Sequence, residues 1–83
     1  MPRFYFDVIQ GEESVEDDEG TELPSIEAAE RDALISAAEI NRDNAKAGRI
    51  NTVKVQVRDE GGKIVLTAAS VLKSGRPELN PIH

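Results

Sequence analysis

Apolar and polar residues alternate over residues 3–9, Arg-Phe-Tyr-Phe-Asp-Val-Ile. Successive strand side chains point to opposite faces. Phe4, Phe6 and Val8 therefore share one face, and Arg3, Tyr5, Asp7 and Ile9 the other. Gln10-Gly11-Glu12-Glu13 reads as a turn, with Gly11 free to take positive φ. Ser14 to Asp17 would return as a short edge strand whose one large apolar residue is Val15 and whose charges discourage further pairing. Asp18 to Pro24 reads as a loop.

The period then changes to that of a helix. Ile26, Ala29, Ala33, Ala37 and Ile40 fall on one face, with Leu34 at its border. Asp32, Glu39, Arg42, Asp43 and Lys46 point away. Ser25 is a good N-cap, and Glu27 and Glu30 suit the positive pole of the helix. The helix should end near Ala47, with Gly48 just past it and Lys46 and Arg49 at the negative pole. The inner alanines let it lie close to whatever it covers.

Alternation returns at Thr52 to Arg58. Val53, Val55 and Val57 point one way, and Thr52, Lys54, Gln56 and Arg58 the other. Asp59-Glu60-Gly61-Gly62 joins this strand to Lys63–Ala69, whose Ile64, Leu66 and Ala68 face the core. Ser74 to His83 holds Gly75, Pro77 and Pro81 and reads as a mobile tail.

Two hairpins around one helix, each with one apolar face, give an α+β domain. The expected fold is a two-layer, four-stranded, mainly antiparallel sheet of ββαββ order with the helix on one face. It spans residues 1–69, with 70–83 as the tail. The two long strands, 3–9 and 52–58, should lie centrally.

Composition narrows the functional classes. Eighty-three residues make one domain. The chain has no Cys, so it has no disulfide, thiol nucleophile or Cys-based metal site, which favours a reducing cytoplasmic setting. No apolar run approaches the roughly 18–20 residues of a membrane span, and the opening Met1-Pro2-Arg3 does not lead into a signal peptide. Sixteen acidic against ten basic side chains give a net charge of −6, which disfavours a nucleic-acid backbone or an anionic membrane surface as partner.

Several segments together resemble a known family. They are Met1-Pro2-Arg3-Phe4-Tyr5-Phe6-Asp7-Val8, the acidic Glu16-Asp17-Asp18-Glu19-Gly20-Thr21-Glu22-Leu23-Pro24, the helical Ala28-Ala29-Glu30-Arg31-Asp32-Ala33-Leu34, and Val55-Gln56-Val57-Arg58-Asp59-Glu60-Gly61-Gly62. In combination they resemble small uncharacterised proteins of rhizobia and related soil bacteria, catalogued as a domain of unknown function. The resemblance covers roughly residues 1–69 and implies no activity, cofactor or site.

Candidate chemistry is sparse. Glu12, Glu13, Glu16, Asp17, Asp18, Glu19 and Glu22 crowd the segment after the first strand. Gly20 is followed six residues later by Ile26 where an EF-hand would need Glu, so the segment reads as a solvated charge run. A weak cation site or a docking surface for a basic partner are its alternatives. The one His is His83, the last residue, and no base partners a serine. No catalytic group, metal ligand or cofactor is expected.

The sheet face turned away from the helix is the most informative surface. Tyr5, Lys54, Gln56 and Arg58 would lie together on it, and Tyr and Arg are enriched at interface hot spots. The expected function is a non-catalytic module that binds a protein partner or pairs with itself as a homodimer, by this face or by edge-strand pairing. The alternatives are a nucleic-acid-associated regulator using the same basic residues, and a small enzyme of unknown type.

Overall fold

The computed structural model describes residues 1–48, 52–73 and 76–82, with side chains for 1–48 and 52–71. Arg49, expected at the helix's negative pole, lies outside the described residues, as do Ser74, Gly75 and His83. The chain runs β1 (Arg3–Gln10), β2 (Glu13–Val15), β3 (Thr21–Glu22), α1 (Ile26–Lys46), β4 (Val53–Arg58), β5 (Ile64–Lys73) and β6 (Arg76–Ile82). All strand pairings are antiparallel, in the order β2-β1-β4-β5-β6, with β3 also on β1. The α+β class and the single covering helix are as the pattern predicts. β4 is central and β1 lies beside it.

The core forms where α1 meets β4 and β5. Val53, Val55 and Val57 of β4 are fully buried, as are Ala29, Ala33 and Ala37 of α1. Leu66, Ala68 and Phe4 complete the cluster. Valine gives the sheet a pleated apolar surface, and the alanine stripe lets the helix lie close against it. Ser25 caps α1 as expected, its Oγ accepting from the Ala28 amide at 3.1 Å, and Gly48 takes φ 78° beyond the C-terminus.

Some details differ from the sequence reading. Ile26, placed on the core face, is 49 % exposed. The buried stripe includes Asn41. Its Nδ2 donates to the Ser70 carbonyl at 2.9 Å and to Ser70 Oγ at 3.1 Å, while Oδ1 has no partner among the described residues. The segment 18–24, read as a loop, contains β3. The strands also continue past residue 69. β5 runs to Lys73 and pairs with β6, from Thr67↔Ile82 to Lys73↔Arg76. Among the described residues, no helix is long and apolar enough to cross a membrane.

Candidate functional site

The face of the sheet turned away from α1 carries all four residues singled out in the sequence. Tyr5 pairs in register with Arg58, Asp7 with Gln56, and Ile9 with Lys54. The structure divides this face in two, because the acidic segment after β2 folds back over one half of it.

That division comes from an interrupted edge strand. β2 pairs Val8 with Val15, whereas β3 pairs Phe4 with Thr21. Between them the register on β1 advances by two residues, so β2 and β3 are halves of one edge strand broken by a bulge. Bulges re-aim side chains and end pairing locally. Here the Asp17 side chain replaces the missing main-chain partner. Its Oδ2 accepts from the Phe6 amide at 3.1 Å. Its Oδ1 accepts from the Glu19 and Gly20 amides, both at 3.1 Å, which turns the chain. Gly20 completes the turn at φ +75°. A Cβ there would lie 2.8 Å from Arg3 Cγ and 2.9 Å from Tyr5 Cε2, so the segment rests on those two side chains.

An ionic cluster ties the bulge to β4. Arg58 Nε donates to Asp7 Oδ2 at 2.6 Å, and its Nη2 donates to Asp7 Oδ1 at 3.0 Å and to the Asp17 carbonyl at 2.9 Å. The Asp17 amide donates to Asp7 Oδ1 at 3.0 Å. The guanidinium carbon stands 5.3 Å from the Tyr5 ring centroid, within cation–π range. Asp7 is buried at 7 % exposure. The Arg58 hydrogen bond holds its carboxyl below the ordinary carboxylate value. Burial opposes this, and the Asp17 amide adds to it. For Asp17, burial is the largest influence and pushes its pKa up. The Phe6, Gly20 and Glu19 amides and the charge of Arg58 together outweigh it, so its pKa too is lowered. Asp7 in turn raises the pKa of Arg58. At the rim, Arg3 donates to the Glu19 carbonyl at 2.8 Å and pairs with Glu22 at 3.2 Å.

Of the four sequence candidates, Tyr5 and Arg58 are thus brought together and engaged internally. Lys54 and Gln56 lie on the other half of the face. Lys54 is exposed and Gln56 half-buried, and Lys54 makes no ion pair among the described residues. A shallow depression of about 300 Å³ beside them is lined by Ile9, Gly11, Thr52 and Lys54. Asp17 is a structural part of this face that composition alone hides in an acidic crowd, whereas alternation already places Asp7 there. The signal for Asp17 is its spacing from Gly20, an Asp followed by a turn glycine, which recurs at Asp59. Among the described residues, no three His, Asp or Glu side chains converge as metal ligands.

A family model described as Domain of unknown function (DUF6894) matches residues 3–71. No curated protein and no solved structure matches the chain.

Proposed function

This chain belongs to the family described as Domain of unknown function (DUF6894), and on that premise we propose that it works by binding another protein chain rather than by catalysis. The contact surface is the sheet face turned away from α1. The observation that carries this reading is its open half, where Lys54 stands exposed and unpaired among the described residues, next to Gln56 and Ile9. Tyr5 and Arg58 support that surface from the covered half, so recognition passes to Lys54 and Gln56.

The electrostatics favour binding over acid–base chemistry. A general acid or base works best with a pKa near the working pH. Asp7 and Asp17 are instead held ionised by Arg58 and backbone amides. The nucleic-acid alternative is weaker, because Glu22 and Asp7 already neutralise Arg3 and Arg58. Few cations on this face remain to displace the counterions of a phosphate backbone.

The test is capture from nuclease-treated lysate on immobilised chain, comparing the wild type with Lys54→Glu/Gln56→Arg. A protein retained by the wild type and lost by the variant supports the reading, provided the far-UV spectra of the two agree. Equal retention by both places the contact elsewhere and overturns it.

A further inference from the structure

The two halves of the exposed sheet face differ in relief and in charge. Over one half stands a ridge, the bulged segment 16–20, carrying the exposed carboxylates Glu16, Asp18 and Glu19. The other half is bare sheet with a depression beside the exposed Lys54. A surface that is raised and acidic at one end, and has a hollow beside an exposed lysine at the other, can meet a rotated copy of itself. This is the condition for an isologous interface, in which one patch meets the same patch on a second subunit.

We propose that two copies of this chain pair face to face about a two-fold axis lying in the plane between them. The acidic ridge of each seats on the open half of the other's sheet, beside Lys54. This rests on the reading that the face is a binding surface, and names the partner as a second copy. The axis runs across the strands, because the ridge and Lys54 are separated along them. Gln56 and Thr67, on adjacent strands, lie between the two charged ends, and Ile9 sits beside Lys54.

The available area is compatible with this. Five strands at about 4.8 Å spacing and about 3.3 Å rise per residue present a face on the order of 500 Å². Two such faces bury about 1,000 Å², at the lower limit for a specific interface, so the dimer should dissociate on dilution. The net charge of −6 on each chain does not prevent pairing. At physiological ionic strength charges beyond about 8 Å are screened, and local complementarity decides.

Sedimentation equilibrium of the full chain tests the proposal, with cooperative melting as the check that every variant is folded. The expected result is a monomer–dimer equilibrium whose dissociation constant rises about tenfold or more in Lys54→Glu. Adding Asp18→Lys and Glu19→Lys to that variant should recover the lost affinity by restoring opposite charges across the interface. A dimer indifferent to Lys54→Glu, or a triple variant that pairs no better than the single one, overturns the proposal. So does a chain that stays monomeric throughout. If that monomer still captures a different protein through Lys54 and Gln56, the binding face stands and only its occupant is wrong. If capture ignores both residues, the underlying reading falls as well.

Discussion

Asp17 is the residue on which the sheet face depends. Its carboxylate serves the Phe6, Glu19 and Gly20 amides, its own amide serves Asp7, and its carbonyl accepts from Arg58. Replacing it with Ala leaves the Phe6 amide without its acceptor in a part-buried site, and hydrogen bonds to charged groups are strong. Asp17→Ala should cost about 2 kcal/mol in urea unfolding and should speed hydrogen exchange at Phe6. The pH dependence follows from the same contacts. Asp7 and Asp17 both titrate lower in the folded chain than in the unfolded one. As pH falls, the unfolded chain therefore takes up protons first. The contribution of the pair is complete above the unfolded carboxylate value of about 3.9, and it is lost as pH falls through the lower folded values. Wild-type stability should drop steeply below about pH 4, and the double variant Asp7→Asn/Asp17→Asn should show a shallower drop from a lower starting point. Parallel curves for the two would show that the cluster does not couple folding to pH.

At the scale of elements, the bulge between β2 and β3 keeps the outer edge of β1 from offering free hydrogen-bonding groups. β2 pairs with Val8 to Gln10, Asp17 takes the Phe6 amide, and β3 pairs with Arg3 and Phe4. An unpaired edge is a template for other chains, and what this side still offers is the short, exposed edge of β2 and β3, which favours face-to-face pairing over the sheet extension that the sequence also allowed. Gly20 is the tightest point. Gly20→Ala combines positive φ with contacts under 3 Å to Arg3 and Tyr5. Gly11→Ala has a similar φ, +59°, with nothing within 4 Å. Thermal melts should therefore show Gly11→Ala down by about 1 kcal/mol and Gly20→Ala by clearly more, and an equal loss would mean that the segment is not seated on Tyr5. This bulge also marks where the sequence stopped being legible. The period of α1, its Ser25 cap and the alternation in β1 and β4 follow from local rules, and the structure reproduces them. β3 does not, because two residues of pairing separated by a side-chain substitute leave no periodic trace. Asn41 escaped because a polar residue in a helical stripe looks like solvent-facing polarity until Ser70 is brought beside it from β5. Tyr5 and Arg58 were placed on the right face. Asp7 lies on that face by alternation, within cross-strand reach of Arg58, whereas the contact with Asp17 depends on the path of the bulge, which alternation does not encode.

For the molecule as a whole, the other sheet edge decides whether the domain stays dispersed. From Ile64 to Leu72, β5 holds no charged residue and is rich in residues that favour strands. Such a segment at an open edge is an aggregation hazard. β6 covers it along most of its length. The prolines of β6 made the segment read as a tail, since proline is excluded from central strands. At an edge they are tolerated and useful. Pro77 and Pro81 pair opposite Leu72 and Ala68, and neither offers an amide to a further strand. The family match ends at residue 71, before β6 begins. Deleting residues 74–83 would turn β5 into the edge. If β6 protects the sheet, the truncated chain should show concentration-dependent light scattering and a lower melting temperature, while the full chain stays clear under the same conditions. Adding a charge on the exposed side of β5, Val71→Lys, should reduce the scattering of the truncated chain, because an edge lysine opposes strand addition. A truncated chain as dispersed and as stable as the full one would show that residues 76–82 add nothing to the sheet, and the domain would then end near residue 73.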